Sequence, residues 1–174
     1  MKGNMTSTLQ ATTTIVRPSL ADIEDAFFSA MQEGWARGSY ENPSPGNLPG
    51  SKTFTYPHGD FKVIDRYYTT VHSDLSDVST MILHLEQLVW IMHYGGRYDK
   101  AAIPFLKQCL QKAYDKRHFL GGRGDAFVQG DVFTYTNRTE YSEFGKFSGM
   151  EQVHNNQTGV CQGYHWYRGM SLIR

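Results

Sequence analysis

Apolar residues recur with a period of two along most of the chain after residue 52, and this alternation constrains the fold more than any other feature. A period of two is typical of β-strands that have one buried side. The segment 61–68 alternates in this way, and the segment 88–94 (LVWIMHY) resembles a strand that ends at Gly95 and Gly96. Glycines at that point indicate unusual backbone dihedral angles or a close approach of the chain. Short turns between such segments predict an antiparallel sheet.

Two segments have a helical period instead. Residues 18–34 begin with Ser19 and Asp22, which approximate a capping box. Residues 99–117 contain Pro104, which a helix tolerates only in its first turn. The predicted buried stripes contain Leu20, Ile23, Phe27 and Met31 in the first helix, and Ile103, Leu106, Leu110 and Ala113 in the second.

Further strands are predicted at 126–136, 147–154, 158–167 and 170–173. A hairpin over 81–94 with its turn at Glu86-Gln87 would place Trp90 on a core face with Met81, Leu83 and Leu85. The element order predicts an α+β fold, with a mainly antiparallel sheet of about six to eight strands and two helices packed on one face.

The domain organisation follows from composition along the chain. Residues 1–17 are polar and rich in threonine, which predicts a disordered tail. Residues 18–174 are then a single α+β domain, a length that can bury a sizeable core. The segment 38–52 holds three prolines and three glycines and predicts an extended loop.

Composition argues against several classes of protein. The 17 basic and 17 acidic residues balance, whereas a nucleic-acid-binding protein normally has a basic field. No window of about 18 apolar residues exists, so no membrane association is expected. Two cysteines and the lack of an apolar leader favour a cytoplasmic protein with reduced thiols. No metal-type spacing of histidine and cysteine occurs, so we expect neither a metal nor another cofactor.

Glu151 is the most informative candidate for chemistry. Gly149 and Glu151 share a strand face that has apolar ends, so the carboxylate is predicted to point inward beside a gap. Such a group suits a binding pocket or a general base, but a structural ion pair with Arg66 or Arg123 is favoured. Arg123 stands between glycines and could clamp a carboxylate or phosphate, although an exposed turn arginine is the favoured interpretation.

The aromatic content of 14% indicates that rings line one face of a curved sheet. Tyr164 and Trp166 would form either ordinary sheet packing or one wall of a pocket for a flat ligand. His93 is interpreted as a hydrogen-bonded, half-buried histidine rather than an acid–base residue. The candidate ligand-binding residues are Arg66, Tyr67, Trp90, His93, Tyr94, Arg123, Glu151, Tyr164 and Trp166.

The order of several short motifs resembles a known family. These are Asp65-x-Tyr67, Val89-Trp90-x-Met92-x-Tyr94-Gly95-Gly96, Arg123-Gly124, Tyr135-x-Asn137, Phe147-x-Gly149-x-Glu151 and a final tyrosine-rich strand. Together they resemble a family of small bacterial α+β domains of unknown function, found alone or fused behind helix-turn-helix transcription regulators. Asp125 departs from the proline that this family favours after Arg-Gly. The resemblance implies the fold and suggests a sensor-like role, but it supplies no reaction.

Three functions follow as hypotheses. The first is a small-molecule-binding domain, sensor-like or accessory, with an aromatic-lined pocket that contains a buried glutamate. The second is a cofactor-free isomerase, cyclase or hydrolase that uses Glu151 and His93 as acid–base groups. The third is a protein-interaction domain that uses a sheet edge or the loop at 38–52. The expected partner is a small organic molecule, and the oligomeric state stays open, a homodimer included.

Overall fold

The computed structural model describes residues 16–38 and 49–173. The predicted tail at 1–17 and the predicted loop at 38–52 therefore lie mostly outside the described residues. The elements in chain order are α1 (Leu20–Glu33), a 3₁₀ turn (Trp35–Arg37), β1 (Ser51–His58), β2 (Phe61–Thr69), β3 (Ser76–His84), β4 (Gln87–Tyr98), α2 (Ile103–Asp115), β5 (Phe127–Gln129), β6 (Phe133–Glu143), β7 (Lys146–Asn155) and β8 (Cys161–Ser171).

The eight strands form one open sheet in the order β1-β2-β3-β4-β8-β7-β6-β5, and all neighbours are antiparallel. The predicted order of helix, four strands, helix and three or four strands is confirmed, as is the mainly antiparallel α+β class. The strands predicted at 158–167 and 170–173 are one continuous strand, β8, which lies beside β4 at the centre of the sheet. Among the described residues, no helix has the length and apolar character that crossing a membrane requires.

Both predicted helices form, and local signals explain where they begin. The Asp22 N–H donates to Ser19 Oγ and the Ser19 N–H donates to Asp22 Oδ2, each at 3.1 Å, which completes the predicted capping box. Leu20 is 44% exposed and does not join the predicted stripe, because it is the first helical residue. Pro104 lies in the first turn of α2, as predicted. The helix begins at Ile103 because residues 99–102 form a turn before it.

The hairpin between β3 and β4 has a different register from the predicted one. Leu85 and Glu86 both have positive φ, 47° and 63°, so the two-residue turn closes one position earlier than predicted. The earlier turn alone would move the pairing by two residues, which keeps the faces, but an irregularity between Ile82 and Leu83 reverses one of them, so that Ile82 lies opposite Trp90. The prediction that Met81, Leu83 and Leu85 share the core face with Trp90 is wrong, because a shift of one residue exchanges the two faces of a strand.

Aromatic rings from distant segments pack around Trp90, which is fully buried. Its indole stacks on Phe144 and Phe147, with ring centroids 5.1 Å and 5.4 Å away, and the Phe27 ring of α1 lies at 5.3 Å. The indole Nε1 donates to the carbonyl of Phe144 at 3.0 Å. Trp90 thereby fixes β4 against α1 and the β6–β7 turn, and its one polar atom is satisfied.

Gly95 and Gly96 do not end β4, which continues to Tyr98. Gly96 has φ of +150°, and a Cβ at that position would collide with the carbonyl oxygen of Tyr164 on β8. A Cβ on Gly95 would lie 2.7 Å from the carboxylate of Asp77 on β3. The two glycines therefore let β4 approach both of its neighbours closely, rather than turn the chain out of the sheet.

We predict that Gly96→Ala lowers the free energy of unfolding by about 3 kcal/mol or more, because backbone strain and a backbone collision add. Gly59→Ala is the matched control, since Gly59 also has a positive φ of +57° but open space around its Cβ position. That change should cost only about 1–2 kcal/mol. Urea denaturation of both variants measures the difference, and equal losses would contradict the close approach of β4 and β8.

Candidate functional site

Each face of the sheet carries a group of polar residues. The same strands contribute to both groups, because side chains alternate between the two faces along a strand. On β7 and β8, Glu151 and His165 point toward the core, whereas Met150 and Trp166 point away from it. We call the buried group the inner polar cluster: Asp65, Thr80, Tyr94, Tyr98, Arg123, Tyr135, Asn137, Glu151 and His165. The hollow on the opposite face is called the outer cleft, and its residues are given below.

An ion pair forms the centre of the inner polar cluster. Glu151 is 0% exposed and Arg123 is 3% exposed. Arg123 Nε donates to Glu151 Oε1 at 2.9 Å, and Nη2 donates to the same oxygen. The Tyr135 hydroxyl donates to Oε2 at 2.6 Å. The structure thus confirms an ion pair with Arg123, one of the two predicted partners, and the interpretation of Arg123 as an exposed turn residue is wrong.

The loop 120–124 can bring Arg123 into the core because side chains of β6 form hydrogen bonds with the backbone of this loop. The Gly124 N–H donates to the Tyr135 hydroxyl at 2.9 Å, and Asn137 Nδ2 donates to the carbonyls of Leu120 and Gly124 at 3.0 and 2.8 Å. Two of the loop's glycines have φ of +64° and +69°, a region that favours glycine. With its backbone groups satisfied in this way, the loop can lie buried.

The cluster extends from the ion pair toward β2. The guanidinium of Arg123 lies over the ring of Tyr94, 4.4 Å from its centroid. The Tyr94 hydroxyl is 3.4 Å from Asp65 Oδ1, and the Thr80 hydroxyl donates to the same oxygen at 2.6 Å. Buried polar contacts therefore connect β7, the loop 120–124, β4, β3 and β2.

Burial and charge set the protonation of the cluster. Burial alone would raise the pKa of the Glu151 carboxyl, but Arg123 and His165 outweigh it and lower this pKa to about 2. Burial lowers the pKa of His165 below its usual 6.5, against the opposing effect of Glu151 at 3.3 Å. Within the described residues, His165 Nδ1 and the Tyr98 hydroxyl are buried without an aligned hydrogen-bond partner.

The outer cleft has a volume of about 1030 Å³ and lies on the face of the sheet opposite the inner polar cluster. Strand register places one row of residues across its floor: Asp77 on β3, Gly95 on β4, Trp166 on β8, Met150 on β7 and Arg138 on β6. The other lining residues include Leu75, His93, Glu140, Ser148, Tyr164 and Arg168.

Trp166 is the most prominent group in the outer cleft. It is 65% exposed, and its Nε1 lies 2.8 Å from the sulfur of Met150. The Tyr164 ring is 5.7 Å away, and Gly95 opposite the indole contributes no side chain. An exposed indole face can stack on a flat molecule.

The structure divides the nine predicted ligand-binding residues among separate places. His93, Tyr164 and Trp166 line the outer cleft. Arg123, Glu151 and the ring of Tyr94 belong to the inner polar cluster, although Tyr94 also borders the cleft. Trp90 is in the core, Tyr67 is half-buried against that core on β2, and Arg66 donates to the Thr53 hydroxyl at 3.2 Å.

His93 and Glu151 lie on opposite faces of the sheet. His93 is exposed and lines the outer cleft, so the prediction of a half-buried histidine is wrong. Glu151 is fully enclosed, and both of its oxygens accept hydrogen bonds. The two groups therefore do not face one shared substrate position. In the described ranges, no group of three or more His, Cys, Asp or Glu residues is placed to hold a metal ion.

Sequence reasoning missed several residues of both sites. Asp77, Arg138, Met150 and Arg168 line the outer cleft. The spacing of Tyr135 and Asn137 could have been used to predict part of the inner polar cluster, because residues two apart lie on the same face of a strand. The sequence could not show that this face lies opposite Glu151, since that depends on the register of β6 and β7.

Comparison with known proteins gives one match. Residues 78–170, more than half of the chain, match a family model described as "Domain of unknown function (DUF5680)". The matched segment runs from β3 through β8 and contains most of both sites. No curated protein and no solved structure matches the chain.

We predict that Glu151→Gln and Arg123→Met each lower the free energy of unfolding by about 3–5 kcal/mol, because each leaves a buried charge unpaired. The double variant removes both charges and should lose clearly less than the sum of the two single losses. Urea denaturation measures this coupling.

The exposed pair Lys62 and Glu86 is the control, and its charge-neutralising variants should each cost less than about 1 kcal/mol. Strictly additive losses at Arg123 and Glu151 would show that the two charges do not depend on each other.

We predict that the protein loses stability between pH 7 and pH 5 partly through His165. Burial lowers the pKa of this imidazole in the folded protein, so the unfolded chain, with its usual pKa of 6.5, binds the proton more readily and falling pH favours unfolding. His165→Gln should therefore reduce the loss of unfolding free energy over this range. Glu151 does not contribute, because its carboxyl is ionised in both states down to about pH 5.

His72→Gln is the control, because His72 is at an exposed position, and it should keep the wild-type dependence of unfolding free energy on pH. An unchanged pH dependence in His165→Gln would refute the assignment.

Proposed function

The chain belongs to the DUF5680 family, a domain of unknown function, and on that premise we propose that it is a small-molecule-binding domain whose site is the outer cleft. Its role would be sensor-like or accessory. The observation that carries this proposal is the exposed Trp166 on the floor of a cleft of about 1030 Å³. This volume lies just above the usual range for small-molecule sites, about 300–1,000 Å³.

The residues that line the cleft support a role in ligand binding. Trp166, Tyr164 and Met150 provide an apolar floor, and charged or polar side chains surround it. A few polar groups around an apolar surface are typical of sites that orient a small molecule. An indole left largely in water is unfavourable for an isolated domain, and a flat ligand would remove that cost.

The inner polar cluster supports the proposal as a scaffold. Glu151 and His165 are the chain neighbours of Met150 and Trp166, so bonds on the inner face fix the backbone beneath the cleft. We also propose that both helices cover this inner face, because α1 and α2 contact each other and share the core with Trp90. The opposite face of the central strands would then be free to bind a ligand.

The enzyme hypothesis has less support than the binding hypothesis. It requires Glu151 and His93 to act on one substrate, and they lie on opposite faces. Glu151 is also held ionised by Arg123, with a pKa of about 2 that is far from the value a general base needs near neutral pH.

We propose a cytoplasmic setting for this binding domain. The chain has two cysteines, Cys109 and Cys161, and both are free thiols. Thiols persist in a reducing compartment. The resemblance to domains fused behind helix-turn-helix modules suggests a ligand-dependent regulatory role there, by analogy.

We predict that native mass spectrometry of protein purified gently from its own host shows a non-covalent adduct on the 19.8 kDa chain. Trp166→Ala should lose this adduct, because the indole provides the stacking surface. Phe127→Ala is the matched control: Phe127 is 60% exposed on the edge strand β5, away from the cleft, and this variant should keep the adduct. An adduct that survives in Trp166→Ala, or a wild-type protein without one, would argue against the cleft as the site.

A further inference from the structure

Two arginines, Arg138 and Arg168, line the outer cleft. In the described part of the chain, neither Arg138 nor Arg168 has a carboxylate oxygen within 4.0 Å. Arg37, Arg97, Arg117 and Arg123 do form such pairs. A guanidinium that lines a cleft and has no carboxylate of its own can bind an anionic ligand through paired N–H groups.

Building on the proposed function, we propose that the ligand of the outer cleft is a planar aromatic molecule that carries a carboxylate or phosphate. Its ring lies on Trp166, and Arg138 and Arg168 hold its anionic group. The two anions share the relevant chemistry, since both accept two parallel hydrogen bonds from a guanidinium.

Strand register lets both arginines reach one anion. Arg138 lies directly opposite Met150, whose other neighbour is Trp166. Arg168 is two residues beyond Trp166 on β8 and lies between His93 and Ser148. Two strand spacings and two residues separate the arginines, which corresponds to roughly 12 Å between backbones. Two extended arginine side chains can meet over that span, above the edge of the indole.

The floor of the cleft selects a flat ring. Trp166 offers an exposed indole face with the thioether of Met150 beside it. Both groups favour contact with an aromatic system. The carboxylate of Asp77 lies over Gly95 and limits the floor on the β3 side, so a planar molecule on the indole lies between Asp77 and the β6 side of the cleft.

The acidic residues of the cleft set the direction of the ligand. Asp77 lies at the end of the floor row opposite Arg138, with its carboxylate close over Gly95. Glu140 is on the Arg138 side, and its carboxylate accepts a hydrogen bond from the Ser148 hydroxyl at 2.7 Å. Asp77 repels an anion at its own end and accepts a hydrogen bond there, whereas at the other end the charges of the two arginines exceed the single charge of Glu140. The acidic group of the ligand therefore points toward β6, and an N–H or O–H points toward β3.

The same charges disfavour a nucleic-acid strand. A strand carries a phosphate on every nucleotide and needs a continuous basic surface. The cleft instead contains two carboxylates as well as two arginines, and the whole chain has no net charge. A single anionic group on one ring fits this arrangement better.

The test uses four naphthalene probes that differ only in one substituent: 2-naphthoate, 2-naphthyl phosphate, neutral 2-naphthamide and cationic 2-naphthylmethylammonium. Isothermal titration calorimetry measures their affinities for the full-length protein. NMR of the indole N–H groups, assigned by single Trp→Phe changes, reports whether each probe reaches Trp166. We expect at least one of the two anions to bind about tenfold or more tightly than the amide, and the cation to bind most weakly.

The variant pair Arg138→Gln and Arg168→Gln links the selectivity to the arginines. Together these changes should reduce the affinity for the anions about tenfold or more and leave the affinity for 2-naphthamide unchanged. Arg66→Gln is the control, because Arg66 contacts Thr53 on β1 and does not line the cleft. It should bind all four probes like the wild-type protein.

The outcomes separate this inference from the proposed function. If 2-naphthamide perturbs Trp166 and binds as tightly as both anions, the ligand class is wrong but the cleft is a binding site. If no probe perturbs the Trp166 indole, both proposals fail. If an oligothymidylate of eight nucleotides binds more tightly than every naphthalene probe, with a steep salt dependence, the cleft is a nucleic-acid surface and the ligand class is wrong. Tighter binding of the carboxylate or of the phosphate supports the inference and identifies the anionic group.

Discussion

The buried ion pair between Arg123 and Glu151 organises the rest of the structure. It joins a loop near α2 to the central part of β7, and Tyr135 binds the second carboxylate oxygen from β6. The guanidinium also covers Tyr94 on β4. A buried pair of this kind adds little net stability, but either charge alone would be very unfavourable in the core. The loop and the strands are therefore fixed together in one arrangement.

This constraint on one face determines what the other face presents. Side chains alternate along a strand, so the inward positions of Glu151 and His165 direct Met150 and Trp166 outward. Close contacts at Gly95 and Gly96 bring β3, β4 and β8 together beneath the indole. The floor of the outer cleft is therefore rigid, because its residues belong to strands that the inner polar cluster holds in place.

Local features of the fold could be predicted from the sequence, whereas long-range ones could not. Ser19 and Asp22 identified the start of α1, and a period of two predicted the strands and the inward position of Glu151. The early turn at Leu85-Glu86 was missed, because neither residue is typical of positive φ. The burial of Arg123 depends on hydrogen bonds from a distant strand. The cleft depends on the pairing of β4 with β8, so Gly95 and Trp166 become neighbours only in the folded sheet.

The central claim is that a ligand binds the outer face of the sheet and leaves the inner face unchanged. The chain has three tryptophans, and each reports a different place: Trp35 beside α1, Trp90 in the core and Trp166 in the outer cleft. The most direct measurement is a ¹⁵N–¹H NMR spectrum of the three indole groups during titration with small-molecule extract from the host. We expect the Trp166 signal to shift and saturate while the Trp90 signal stays in place. A saturable shift of Trp90 or Trp35 with Trp166 unchanged would contradict the account.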